Sequence, residues 1–219
     1  IEQHTYDITK KFGDKVARII VVNEPHVGLS TEEVIAAFQG ARRAGTKAKL
    51  GLSETDIHYS AGAFTNQTKA LVLLLKEKGL IDYLAVEGHD LQYQNEVAKN
   101  VSSEDIATTL KEYGVPIIIS EFDINTTLMT GSSKEKNNSQ AARAYMVMRG
   151  FLKSGVVVGL NFWGIDDKDS WLTNGANQQE YLNKGGSPNA DPLPFHSGEK
   201  KAFYYALQRA LFEDILSKQ

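Results

Sequence analysis

Short apolar runs alternate with longer mixed stretches along the whole chain. The runs are rich in Ile, Val and Leu and end at polar residues, and several of the mixed stretches end at a glycine. We predict a strand for each run and a helix for each stretch between them. The predicted strands are 17–22, 49–52, 81–86, 115–119 and 156–162. The predicted helices are 2–12, 30–44, 65–78, 102–113, 140–153 and 199–216, with loops at 125–138 and after 162.

Strands that alternate with helices are typical of βαβ units in a parallel sheet. The strands are nearly continuous apolar runs, as expected when both faces of the sheet are buried. No low-complexity segment divides the chain, so we predict one α/β domain over residues 1–219. A doubly wound sheet and a (β/α)8 barrel share this alternation. The glycine-rich phosphate turn that usually marks a doubly wound sheet follows none of these strands.

Polar side chains follow each predicted strand. They are Asn23-Glu24, Ser53-Glu54, Glu87 with His89, Glu121 with Asp123, and Trp163 with Asp166-Asp167. In a barrel the carboxyl ends of all strands meet at one face, where active sites lie. The pattern therefore favours a barrel, although five units and a leading helix are too few to close one alone.

Composition and charge restrict the class of partner. The 219 residues are 42% hydrophobic and 23% charged, which is ordinary for a globular chain. The net charge of −3 gives no reason to expect nucleic acid or an anionic membrane. No run approaches the roughly 20 apolar residues of a membrane span, and residues 1–20 lack a signal-peptide pattern. Cysteine is absent, which excludes disulfides and thiolate metal sites.

Two glutamates that follow apolar strands form a candidate catalytic pair. Glu24 follows ARIIVVN and Glu121 follows VPIIIS, so both would project into one barrel mouth. Hydrolysis of a glycosidic bond needs one protonated and one ionised carboxyl group. A separation of roughly 5–5.5 Å predicts retention of configuration, and roughly 6.5–9.5 Å predicts inversion. A glutamate at a strand end is more often solvated or structural than catalytic, so the pair needs further support.

Four neighbours provide that support, and each also has an ordinary structural interpretation. Asn23 precedes the first glutamate and suits a sugar hydroxyl, and His89 ends another strand and suits the orientation of the second glutamate. Trp163 and Trp171 offer flat apolar faces to sugar rings. The alternatives are a satisfied asparagine, a capped histidine and core tryptophans.

Several segments of the chain together resemble one enzyme family. HTYDITKKFGDKVARIIVVNEP is similar to the helix and fourth strand of glycoside hydrolase family 10, the retaining endo-β-1,4-xylanases. The likeness continues through GLIDYLAVEGHDL, VPIIISEFDI, GLNFWGIDDKDSWL and PLPFHSGEKKAFYYAL, which resemble the family's sixth to eighth strands and its final helix. The resemblance implies a (β/α)8 TIM barrel, of which this chain holds about strands four to eight with their helices.

The resemblance also implies a role for each candidate residue. Glu24 is the implied general acid/base and Glu121 the implied nucleophile. The implied substrate-binding residues are Asn23 at the 2-hydroxyl, His89 at the nucleophile, Trp163 as the stacking tryptophan, Trp171 in the same cleft and Glu87 as a third carboxylate. Xylan or a xylo-oligosaccharide is the implied ligand of a secreted enzyme. Neither a metal nor a cofactor is expected.

The chain departs from the family at several positions. The family's first three βα units, which carry much of the glycone subsite, are missing. Three explanations compete: one segment of a longer or cleaved polypeptide, which we favour, a break near a carbohydrate-binding insertion, or completion of the barrel by a second copy. Residues 53–56 are Ser-Glu-Thr-Asp where the family has Asn-Asp-Tyr-Asn. Glu87 stands at the family's strand-six glutamine, and Leu172 where an arginine is common.

These observations predict a retaining endo-β-1,4-xylanase, or the C-terminal part of its barrel. One alternative is a related hydrolase of another β-linked glucan or a mixed xylan. Another, from a different class, is an inert or carbohydrate-binding barrel fragment that needs a complementing N-terminal segment. A nucleotide-binding α/β protein is the weakest candidate because no phosphate loop is present.

Overall fold

Parallel strands form one sheet in which neighbours in the chain are also neighbours in space. A computed structural model describes residues 1–90, 100–173, 175–187 and 190–219. The strands of the sheet are β1 (Arg18–Asn23), β2 (Lys49–Thr55), β3 (Tyr83–Glu87), β4 (His89–Asp90), β5 (Ile117–Ile124) and β6 (Val157–Phe162). Every pairing is parallel, and β4 continues β3 along the same edge of β5. This consecutive strand order is that of a barrel wall, and it confirms the predicted parallel α/β fold.

Helices lie between the strands, and a short hairpin precedes the last helix. The helices are α1 (Glu2–Phe12), α2 (Thr31–Arg43), α3 (Thr65–Glu77), α4 (Ser103–Glu112), α5 (Ser133–Ser154), α6 (Gly175–Asn183) and α7 (Ala202–Ser217). The hairpin consists of β7 (Phe195–His196) and β8 (Glu199–Lys200). No helix among the described residues is long and apolar enough to cross a membrane.

Several element boundaries differ from the sequence prediction. Helix α5 begins at Ser133 rather than at 140, because Ser132 and Glu135 form a capping box that starts the helix inside a polar segment. Strand β5 continues to Ile124, past the polar residues where the predicted strand stops, and β2 continues to Thr55 rather than ending at 52. Helix α6 and strand β7 lie in the predicted loop after residue 162. Strand β8 takes the first residues of the predicted helix 199–216, so α7 begins at Ala202.

Apolar side chains between the sheet and its helices form the core. Leu52, Leu84 and Ile119 contribute fully buried side chains from three neighbouring strands. Phe122 on β5 makes edge-to-face contacts with Phe151 on α5 and Phe203 on α7, with ring centroids 5.6 and 5.8 Å apart. The core therefore ties the centre of the sheet to the two longest helices and fixes the direction in which β5 ends.

Strands β1 and β6 are the edges of the sheet, and apolar side chains remain exposed beside both. On the β1 side, Phe12 is 41% exposed and Ile20 is 43% exposed. On the β6 side, Val158 is 58% exposed and Phe212 is 60% exposed. Within the described residues the sheet is thus an open part of a barrel with two uncovered apolar edges.

Candidate active site

Glu24 lies where β1 ends, in a backbone conformation that is unusual for its residue type. Its N–H donates to the carbonyl of Ser53 at 2.9 Å, which extends the pairing of β1 with β2 by one residue. Its φ and ψ are 45° and 58°, in the left-handed region that few residues other than glycine adopt. Pro25 then begins a 3-10 turn. A strained glutamate at a strand end suggests a functional constraint, because such strain persists only where the surroundings enforce it.

Glu121, on β5, is held by a histidine that a second carboxylate also contacts. His89 Nε2 lies 3.3 Å from a carboxylate oxygen of Glu121, and His89 Nδ1 lies 3.0 Å from a carboxylate oxygen of Asp123. Burial lowers the pKa of His89, but the two carboxylates outweigh it and raise that pKa to about 10. His89 is therefore an imidazolium at neutral pH, and its positive charge lies against the carboxyl group of Glu121.

Asp123 also fixes one of the two tryptophans. The indole N–H of Trp171 donates to Asp123 at 2.8 Å, and the Trp171 ring lies 5.2 Å from the His89 ring, tilted by 52°. Asp123 is completely buried, so it acts through His89 and Trp171 rather than on a ligand. Its position two residues after Glu121 on one strand places both side chains on the same face. That period-two spacing was the available sequence signal for Asp123.

Glu87, the last residue of β3, points into the site. It is 2% exposed, and the hydroxyl of Ser53 donates to it at 3.0 Å. Ligand atoms of Glu87, His89 and Glu121 all lie within 4.8 Å of one another. Burial, followed by the charge of Glu121 and, more weakly, that of Glu24, raises the pKa of Glu87 to about 7. Glu87 therefore belongs to one cluster with His89 and Glu121.

The remaining predicted site residues lie at the same edge of the sheet. Asn23, the last residue of β1, is exposed and pairs in register with Ser53. Trp163 directly follows β6 and is 47% exposed, and its main-chain N–H donates to the carbonyl of Phe122 at 3.2 Å. The structure thus gathers Glu87, His89 and Glu121 into one cluster, with Trp171 against His89. The other candidates, Asn23, Glu24 and Trp163, lie at strand ends on the same edge of the sheet.

Two side chains near Glu24, one buried and one partly buried, were not among the predicted site residues. Glu54 is completely buried, and burial raises its pKa. His26 Nε2 lies 3.9 Å from one Glu54 oxygen and 3.1 Å from the hydroxyl of Thr68, and its ring stacks on Phe64 at 5.4 Å. Because these contacts join residues far apart in the chain, no local pattern indicates them.

A second polar cluster lies beside the β7–β8 hairpin and lines a cavity of about 600 Å³. Asp167, Asp191 and His196 converge there with ligand atoms within 4.8 Å of one another. The ammonium group of Lys201 already lies 3.0 Å from Asp167 and donates to the carbonyl of Asp191 at 2.7 Å. This ammonium occupies the place that a cation would take, so the cluster fastens the hairpin to the loop before it.

The sequence profile described as Glycosyl hydrolase family 10 matches residues 1–210. The chain belongs to glycosyl hydrolase family 10. It is 27% identical over 186 residues to Endo-1,4-beta-xylanase B of Humicola insolens and 29% identical over 187 residues to Endo-1,4-beta-xylanase A of Phanerodontia chrysosporium. These alignments cover 82% and 80% of this chain but 48% and 44% of those proteins. The chain thus spans about half the length of the curated relatives it matches.

Solved structures of family members have the same fold. Native xylanase 10B from Thermotoga maritima superposes with a TM-score of 0.79 at 24% identity, over 99% of this chain and 66% of that one. Xylanase 10B from Thermotoga petrophila in complex with xylobiose superposes with a TM-score of 0.77 at 23% identity, over 98% of this chain and 65% of that one. The prediction that this chain forms part of a family 10 TIM barrel is confirmed.

Proposed function

We propose that residues 1–219 form the part of a retaining endo-β-1,4-xylanase that carries both catalytic carboxylates, with Glu24 as acid/base and Glu121 as nucleophile. The observation that carries the proposal is the placement of both glutamates at the carboxyl edge of one parallel sheet, with Glu24 directly after β1 and Glu121 on β5. Strain at Glu24 and the imidazolium contact of Glu121 support distinct roles for the two carboxyl groups. Membership of family 10 supports a glycoside hydrolase.

In the proposed mechanism Glu121 attacks the anomeric carbon while Glu24 gives its proton to the departing glycosidic oxygen. The electron pair of the broken bond goes to that oxygen, and the sugar is left as an ester of Glu121. Glu24, now ionised, takes a proton from a water molecule, which displaces Glu121 from the same carbon. Two displacements at one carbon restore the original configuration. His89 stabilises the ionised Glu121 before attack and after release.

The remaining candidates position the polymer in this proposal. Asn23 is exposed beside Glu24 and donates or accepts a hydrogen bond at the 2-hydroxyl of the sugar. Trp163 and Trp171 present ring faces to sugar rings, and Trp163 has 47% of its surface free for this. The substrate is xylan or a xylo-oligosaccharide. Because xylan is a polymer outside the cell, we also propose that the enzyme is secreted.

The proposal includes a partner for the two open edges. Further βα units cover the apolar side chains beside β1 and β6 and close the barrel, because an exposed edge and an uncovered apolar face are both unfavourable in water. Exposed Ile20 and Val158 mark the two surfaces that these units bury. The units belong to the same polypeptide or to a separate chain, and a second copy of residues 1–219 is the alternative.

A trapping experiment tests the proposed function. Residues 1–219 alone, and the same residues preceded by the first three βα units of the Thermotoga maritima enzyme, are incubated with a 2-fluoro-xylobioside that bears a dinitrophenyl leaving group. We expect the covalent adduct on Glu121 in the fused protein, and none in Glu121→Gln. Glu24→Ala keeps the trapping reaction, since this leaving group needs no proton, but loses activity on xylan.

Four outcomes would decide against the proposal. An adduct on another residue would refute Glu121 as nucleophile. Full xylan hydrolysis by Glu24→Ala would refute Glu24 as acid/base. Adduct formation with a cellobioside in place of the xylobioside would indicate a β-glucan hydrolase. If the fused protein forms an adduct with neither sugar, the chain is a carbohydrate-binding or inert fragment.

A further inference from the structure

A third carboxylate lies inside the candidate active site, at the position where the family resemblance places a glutamine. Glu87 is not a solvated strand end, because it is 2% exposed and accepts a hydrogen bond from Ser53 at 3.0 Å. Glu87 is in register with Thr55 in the pairing of β3 with β2, and this pairing fixes the direction in which the Glu87 side chain points. The site therefore contains one more acidic group than a glutamine would give.

The groups around Glu87 come from the neighbouring strands β2 and β5 and from β4, which continues β3. They are Ser53 on β2, Glu121 on β5 and His89 on β4, and the charge of Glu24 after β1 acts more weakly. The only cation among them, His89, already lies between the carboxylates of Glu121 and Asp123. Ionised Glu87 would thus add a like charge within 4.8 Å of Glu121 with no cation of its own. Glu87 is more buried than Glu24 and Glu121, and burial disfavours the ionised form of its carboxyl group.

We propose that Glu87 is a positioning residue of this site: as a neutral carboxylic acid it stands in for the family's glutamine, and its ionisation disables the site toward alkaline pH. The proposal rests on the proposed function of Glu121. A protonated carboxyl group has the size of an amide, and like an amide it both donates and accepts hydrogen bonds. The ionised form only accepts, repels Glu121 and competes with it for His89. The nucleophile then loses the contact that holds it in place.

The test measures the pH dependence of a reaction that does not need the proton of Glu24. The substrate is dinitrophenyl β-xylobioside, and the enzyme is the fused barrel described above. We expect kcat/KM of the wild type to fall about tenfold per pH unit once Glu87 ionises, above about pH 7. In Glu87→Gln we expect the kcat/KM profile to lose this inflection, whatever the absolute activity of the variant. Glu54→Gln, which changes another buried glutamate near a strand end, retains the inflection in kcat/KM.

Two kinetic results would overturn the proposal: an unchanged inflection in Glu87→Gln, or a wild-type kcat/KM that rises through pH 7. A second readout is independent of catalysis. The infrared carbonyl band of a protonated carboxylic acid, followed from acidic to alkaline pH in residues 1–219, contains a component that Glu87→Gln lacks. Absence of that component also overturns the proposal. If the band is present but the wild type never cleaves the substrate, the proposed function fails and the protonation of Glu87 stands.

Discussion

The left-handed backbone at Glu24 predicts that glycine is more stable than alanine at this position. With φ at 45°, the Cβ of any residue other than glycine lies too close to the following carbonyl oxygen. This close contact destabilises the folded state by about 1–2 kcal/mol relative to glycine. Glycine loses more conformational entropy than alanine on folding, which reduces its advantage in stability by about 0.4–1 kcal/mol. Glu24→Gly should therefore be more stable than Glu24→Ala by about 1 kcal/mol, or roughly 2–4 °C in Tm for a chain of this size. Comparing the two variants cancels the loss of the carboxylate, which is common to both.

Urea denaturation of residues 1–219 at neutral pH measures the difference in the free energy of unfolding. Gln39 is the matched control, because it is exposed in the middle of α2. There the order reverses, and Gln39→Gly is less stable than Gln39→Ala by about 1 kcal/mol. If Glu24→Ala equals or exceeds Glu24→Gly in stability, the backbone at Glu24 is not strained, and the argument from strain to function is refuted.

Two further predictions concern the strands behind the site. Asp123→Asn removes one of the two anions on His89, so the pKa of His89 falls from about 10. A raised histidine pKa stabilises the fold below about pH 6.5 and loses this contribution as pH rises toward 10, so the variant should show a smaller decline in stability over that range. Gly51→Ala should destabilise by about 1–3 kcal/mol, because its Cβ would overlap the ring of Tyr83 on the next strand. Adding Tyr83→Leu should recover part of the loss, and no recovery would contradict the overlap.

The alternation of apolar runs and helices was enough to predict the parallel sheet, because strands covered by helices on a buried sheet have few polar positions. It was not enough to locate the start of α5, since a capping box can begin a helix among polar residues with no apolar period. Glu121 and His89 could be named as candidates because each follows an apolar run. That they touch depends on the pairing of β4 with β5, which joins residues 32 positions apart.

The orientation of Glu87 shows the limit of sequence reasoning most clearly. A glutamate after an apolar strand can point to solvent or into the site, and both give the same sequence pattern. The hydroxyl of Ser53, on a neighbouring strand 34 positions away, and nearly complete burial settle the direction. The same reasoning applies to Asp123, because its contacts with the rings of His89 and Trp171 are made only in the folded chain.

These contacts form one row of charges along the carboxyl edge of the sheet. The row contains Asp123, His89, Glu121 and Glu87. With His89 charged and Glu87 neutral, the row has a net charge of about −1 by its formal charges. Either ionisation of Glu87 or loss of the His89 proton adds a second negative charge with no partner. The pKa of Glu87 is about 7 and that of His89 is about 10, so Glu87 ionises first as pH rises. The carboxyl group of Glu87, rather than the histidine that touches Glu121, therefore sets the upper pH limit of this row.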